Sequence, residues 1–167
     1  DRDLDIPVIL VSAQRDAARA AAAMRAGVSD YVLHGNLQRL GPAVERELRL
    51  FSRVIEQSPA AVLITDPQSR IEYVNPAFSA VTGYGLAEIL GCKPSLLKSG
   101  LQDADDYRRL WETLQRGEVW RGELANRRKD GELFWENAAI GPVFDEQGQL
   151  IHYVAVKEDI TERKRTE

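Results

Sequence analysis

Trp120, Gly122, Leu124 and Asn126 stand two residues apart in the run Trp120-Arg-Gly-Glu-Leu-Ala-Asn-Arg-Arg-Lys-Asp-Gly-Glu-Leu-Phe-Trp135. In a strand, that spacing turns all four to one face while Arg121, Glu123 and Arg127 turn to the other. An aromatic surface, a gap, an aliphatic wall and an amide are the parts needed to hold a flat ligand with a polar edge, by stacking and by hydrogen bonding. The same four residues also read as ordinary core carrying one polar group, and the spacing alone admits both. Lys129-Asp130-Gly131 breaks the run, and Asp-Gly is a strong hairpin signal.

Few other residues offer chemistry. The spacing of Ser95 and Lys98 matches a serine–lysine nucleophile pair, but the companion elements of that motif are missing. Gly83-Tyr-Gly85 is a helix stop and turn; it lacks the preceding strand and third glycine of a dinucleotide fingerprint. Asp103, Asp105 and Asp106 gather where a helix would begin, a place the helix dipole favours for acids. With one cysteine, Cys92, and two histidines, His34 and His152, the chain has neither a disulfide framework nor metal-ligand spacing. No catalytic constellation is expected in this chain.

Composition narrows the class. Of 167 residues, 44% are hydrophobic and 29% charged, with a net charge of −4, the profile of a soluble globular protein without a nucleic-acid surface. Arg127-Arg128-Lys129 is too short to act as a basic stripe and reads as a solvated hairpin tip. No apolar run approaches the ~18 residues needed to cross a bilayer. A chain that opens on Asp1 without a signal-peptide pattern reads as a piece of a longer, cytoplasmic polypeptide.

The elements that must position these residues fall into two groups. Pro7–Ser12 is a continuously apolar strand, Asp16 to about Ala26 a helix stopped by Gly27, and Tyr31–Leu33 a second strand. A helix from Pro42 to Gln57 carries Val44, Leu48, Phe51 and Ile55 as one apolar stripe, either packed on its own domain or forming a dimer seam. From Ser58 the order is two strands (Ala61–Asp66, Ile71–Val74) and a helix capped by Asn75. A short helix (Leu86–Leu90) and a longer one (Asp103–Gln115, with Tyr107, Leu110, Trp111 and Leu114 on one face) follow. Three strands close the unit: Val119–Arg128, Leu133–Val143 and Leu150–Lys157. That is an α+β fold, a five-stranded antiparallel sheet with helices on one face, beside an incomplete α/β fragment and a connecting helix.

Two resemblances carry the reading further. Ile6-Pro-Val-Ile-Leu-Val-Ser-Ala13 with Met24-Arg-Ala-Gly-Val-Ser-Asp-Tyr-Val-Leu33 resembles the closing half of a response-regulator receiver domain. The resemblance makes Ser12 the hydroxyl that senses a phosphoryl group, and puts His34 where the family has lysine. The phosphoacceptor would lie upstream. Asn75-Pro-Ala-Phe-Ser-Ala-Val-Thr-Gly-Tyr84, Glu88-Ile-Leu-Gly91, Asn126-Arg-Arg-Lys-Asp-Gly131, Phe134-Trp135 and Asp159-Ile-Thr161 together resemble a PAS domain.

The implied organisation is a truncated receiver over 1–41, a connecting helix over 42–57, a PAS sensor over 58–160 and a signalling helix starting at 161–167. Among PAS relatives, flavin redox sensors and light-sensing LOV domains look most similar. Trp120 matches the tryptophan of the former, and Asn126 an amide that LOV domains place on the flavin ring. The implied binding set, for FAD or a smaller ligand, is Phe78, Leu97, Trp120, Leu124, Asn126, Phe134, Glu136 and Lys157. The sequence departs from LOV at three positions: Pro94 stands where the adduct cysteine would be, Glu136 replaces a second asparagine, and Lys157 replaces the switching glutamine. Two opposite charges there could pair and fill the space a flavin edge needs. Haem-binding PAS sensors have a histidine on the long helix, and Asp103–Gln115 has none.

The implied function is a sensory module of a two-component, phosphorelay-type protein. It would pass a ligand or redox signal through Asp159 and Thr161 into an exit helix and on to a histidine kinase or diguanylate cyclase domain. A homodimer through the 42–57 helix and the PAS domain is expected. A ligand-free dimerisation module and a dedicated FAD redox sensor are the alternatives.

Overall fold

A computed structural model describes residues 9–12, 17–26, 28, 30–33 and 40–166. Pro7, Asp16, Gly27, His34 and Glu167, each part of a sequence expectation above, lie outside the described residues. The chain divides into two units, Asp1–Val54 and Ile55–Glu167.

In the first unit β1 (Ile9–Ser12) runs parallel to β2 (Asp30–Leu33), with α1 (Ala17–Arg25) between them in sequence. A parallel pair requires such a crossover, because a tight turn can join only antiparallel strands. Ser12 ends β1, level with Leu33. Helix α2 (Leu40–Gln57) starts two residues before the expected Pro42. Proline is tolerated there because the first turn of a helix has no intrahelical partner for its N–H groups. Val44, Leu48 and Phe51 on its stripe are exposed, as is Val54.

The second unit is a five-stranded sheet in the order β4-β3-β7-β6-β5, antiparallel throughout. It comprises β3 (Ala61–Thr65), β4 (Ile71–Val74), β5 (Trp120–Arg127), β6 (Leu133–Phe144) and β7 (Leu150–Asp159). Since β4 and β5 lie at opposite edges, the segment joining them must cross one face. It does so as α3 (Pro76–Thr82), α4 (Leu86–Ile89), a 3-10 turn (Pro94–Leu97) and α5 (Ala104–Gln115). The core between sheet and helices is built from Leu63, Ile71, Val74, Phe78, Ile89, Leu97 and Ala155.

Asn75 locks this layer. Fully buried, its Oδ1 accepts from Phe78 N at 3.0 Å, capping α3, and from Val62 N at 2.8 Å; its Nδ2 donates to Ile55 O at 2.9 Å and Ala60 O at 3.0 Å. One side chain thus joins the end of α2, strand β3 and helix α3. The edge strand β5 is covered by the preceding loop: Ser99 Oγ donates to Ala125 O at 2.6 Å and Gln102 Oε1 accepts from Ala125 N at 3.1 Å. Such cover blunts an edge that would otherwise recruit another strand.

Beyond the sheet, α6 (Thr161–Thr166) begins one residue after β7 ends. The β3–β4 and β6–β7 turns are alike. Asp66 Oδ1 accepts from Gln68 N and Arg70 N, and Asp145 Oδ1 accepts from Gln147 N and Gln149 N. The left-handed position of this turn is Gly148 in one case (φ 79°) and Ser69 in the other (φ 63°).

Candidate functional site

Between α5, the 3-10 turn and the inner face of the sheet lies a cavity of about 210 Å³. Leu63, Leu110, Leu114, Leu124, Ile140 and Ala155 form its apolar walls; Trp111, Tyr107 and Tyr153 add aromatic ones. The amphipathic face of α5 read from the sequence is the cavity's wall. Tyr107, Leu110, Trp111 and Leu114 all line it, and Trp111 meets Tyr153 edge-on, with centroids 5.9 Å apart. Burial, and after it the nearby Asp106 carboxylate, push the Tyr107 phenol above its ordinary pKa.

The floor is charged. Strand pairing sets Leu124 opposite Glu136 and Asn126 opposite Phe134, while Ala138 faces Lys157 on the other side. Within that lattice Lys157 Nζ donates to Glu136 Oε2 at 3.0 Å and Asn126 Nδ2 donates to the same oxygen at 2.6 Å. The two charged side chains are only 4% and 1% exposed. The opposite charges at these two positions therefore do pair. Glu136 Oε1 is buried without a hydrogen-bond partner in the structure.

Of the residues that sequence reasoning grouped as a binding set, Leu124, Asn126 and Lys157 line the cavity. Glu136 sits behind Asn126 and Lys157 rather than on the cavity wall. Phe78 and Leu97 are packed in the core. Phe134 is fully buried beneath the Arg128 guanidinium, 4.5 Å from its ring centre. Trp120 is half-buried and lies over Gly122, where an added Cβ would fall 2.5 Å from the indole Cζ2. The missing side chain at 122 lets the ring fold along its own strand instead of projecting inward. Sequence reasoning missed Tyr153, Ile140, Lys93 and Lys98 as lining residues. The Ser95/Lys98 spacing does reach the cavity, because the 3-10 turn brings both residues to its rim. Cys92 is exposed, and Pro94 lines the rim in its stead.

An isoalloxazine ring, which the resemblance implies, asks for free amide groups at this floor. Here an Asn126 amide proton is committed to Glu136, one oxygen of the Glu136 carboxylate accepts from both Asn126 and Lys157, and Trp120 is outside the cavity. As folded, these residues do not fit a flavin edge.

The floor adjoins the exit from the sheet. Glu136 on β6 is the register partner of Asp159, the last residue of β7. Asp159 Oδ1 accepts from Thr161 N at 2.9 Å and Thr161 Oγ1 at 2.5 Å, and its Oδ2 accepts from Arg128 at 2.8 Å. Burial alone would raise the Asp159 carboxyl, but the hydrogen bonds from Thr161 and Arg128 outweigh it and hold the pKa below the ordinary value. Thr161 Oγ1 in turn accepts from Trp135 N at 3.0 Å. On the outer face, Glu123 pairs with Lys164 at 2.7 Å and Arg163 at 2.9 Å, and Glu132 with Arg165 at 2.7 Å. The Lys164 hydrogen bond is the main cause of a lowered Glu123 pKa. Among the described residues no cluster of histidine, cysteine or acid is placed to hold a metal, and no helix is long and apolar enough to cross a membrane.

A cleft open at one end lies under an antiparallel sheet, and a capped helix leaves the central strand. The PAS domain family model matches residues 59–162, and the chain belongs to that family. It is a sensory module of the signal-transduction kind. It is 40% identical over 121 residues to a nitrogen fixation regulatory protein of Klebsiella oxytoca, covering 72% of this chain and 24% of that protein. With the blue-light-activated histidine kinase 1 of Erythrobacter litoralis it shares 34% identity over 126 residues, 71% of this chain and 35% of the kinase. The chain thus spans a quarter to a third of these relatives. Among solved structures, an RNA-binding light-oxygen-voltage receptor superposes with a TM-score of 0.65 at 28% identity, over 70% of this chain and 34% of the receptor. A light-oxygen-voltage domain studied with a flavin analogue gives 0.63 at 28% identity, over 70% and 89%.

Proposed function

We propose that this chain is the input segment of a larger signalling protein, in which occupancy of the cavity sets the position of the exit helix. The observation that carries this reading is the short path from floor to exit. Glu136 bonds Asn126 and Lys157 on the cavity side, and its register partner Asp159 caps α6. A ligand that draws Asn126 or Lys157 away from Glu136 changes the setting of β6 against β7, and so the cap. Hydrogen exchange of the α6 amides tests this: the double variant Glu136→Leu/Lys157→Met, which removes the linkage without stranding a buried charge, should change their protection, and unchanged exchange refutes the coupling.

The wider organisation is part of the same proposal. Residues 1–41 are the closing part of a receiver domain, with Ser12 and His34 at its switch positions, and 58–160 the sensor. The output domain is a histidine kinase or diguanylate cyclase that supplies the catalysis, in a cytoplasmic setting. The kinase relatives support the first choice of output. The exposed stripe on α2 supports a homodimer seam.

Flavin, as FAD or FMN, is a second reading, favoured by the light-oxygen-voltage relatives and opposed by the engaged floor. An absorption spectrum of freshly purified protein decides it: the two bands of an oxidised flavin, bleached by dithionite, would establish that reading. A ligand-free dimerisation module predicts a blank spectrum and α6 exchange indifferent to the cavity.

A further inference from the structure

The polar groups of the cavity are unbalanced. Among the described residues, its charged lining side chains are the lysines Lys93, Lys98 and Lys157, and no carboxylate lines it. Lys157 is neutralised from behind by Glu136. Lys93 and Lys98 lie at the exposed end, and among the described residues neither has an ion pair. Lys98 instead stands over the Tyr107 ring, 3.9 Å from its centre, which holds its ammonium at the mouth. Tyr107, whose hydroxyl is protonated at neutral pH like any ordinary phenol, also lines the cavity. Against these donors the purely accepting side-chain group is the carboxamide oxygen of Asn126. Lys93 and Lys98 are exposed and hydrated, so what they offer a ligand is charge complementarity at the mouth of an otherwise apolar cleft.

We infer that the cavity takes a small amphipathic carboxylate, its apolar body between Leu110, Leu124 and Trp111 and its anionic group at Lys93 and Lys98. The inference rests on the sensory reading above and adds the chemical class of the ligand. The apolar walls reject a fully hydrophilic anion such as phosphate, and the rim lysines disfavour a cation. A cavity of about 210 Å³ suits a single ring with a short side chain.

The test uses the whole chain, calorimetry, and a matched pair of probes, 3-phenylpropionate and 3-phenylpropionamide, which differ chiefly in charge. Exposed ion pairs are individually weak, so two of them should favour the acid by roughly five- to tenfold in Kd. That preference should vanish in the Lys93→Gln/Lys98→Gln double variant and shrink as salt is added. Both substitutions are at exposed positions, so the variant should fold. Equal binding of acid and amide overturns the anionic class and leaves the sensory reading standing. Tight binding of uncharged riboflavin, indifferent to both lysines, likewise overturns it. If neither probe binds, the carboxylate class falls; if in addition the cavity-filling Ala155→Phe leaves α6 exchange unchanged, the sensory reading falls with it.

Discussion

Removing Lys157 is the sharpest test of the floor. In the Lys157→Met variant the side chain keeps similar length and bulk, but Glu136, 1% exposed, is left with the single donor of Asn126 at 2.6 Å. Its Oε1 already lacks a partner, so nothing nearby takes up the lost interaction. Breaking a buried pair from one side costs about 3–5 kcal/mol, and the upper part of that range is expected here. Glu136→Gln should cost a similar amount by stranding the Lys157 ammonium. The double variant Glu136→Leu/Lys157→Met removes both charges and leaves an apolar floor; it should lie within about 1 kcal/mol of wild type or above it. Urea unfolding at neutral pH reads all three, with an unchanged m-value required for the comparison. A loss below about 1 kcal/mol in Lys157→Met would refute the reasoning, because it would mean that water or a shifted side chain screens Glu136.

Other consequences are equally direct. Asn75→Ala removes a helix cap and strands buried groups on β3 and α2, so it should cost about 3–5 kcal/mol in the same assay. The Asp159 carboxyl has a lowered pKa in the folded state, so its stabilising effect is present above the ordinary carboxylate range and lost as pH falls through the folded value. Protection of α6 should therefore fall on acidification below about pH 4 and not on raising the pH from neutrality, as hydrogen exchange will show. Ser69 holds a left-handed conformation that Gly148 holds in the matching turn. Gly148→Ser should cost about 1 kcal/mol, whereas Ser69→Gly should be neutral or gain up to about 1 kcal/mol, both read by thermal melting.

Much of this protein is legible in its sequence. Asp130-Gly131 marked a turn, Asn75-Pro76 marked the start of α3, and apolar periodicity marked α5 and the strands, because turns, caps and amphipathic faces depend on neighbours in sequence. The motif spacing identified the PAS fold, and the identities at 136 and 157 foretold a charge pair. What the sequence could not show was which side chains of a shared strand face reach the cavity. Trp120 and Leu124 have the same parity, yet one lies over Gly122 and the other lines the wall. Phe78 and Leu97 went to the core, and Lys93, Lys98 and Tyr153 came to the rim. Those outcomes depend on where α5 and the 3-10 turn come to rest across the sheet, which is decided by contacts between residues far apart in the chain. Local pattern sets the elements and the parity of their faces; tertiary packing alone sets how deep each side chain lies and what it meets there.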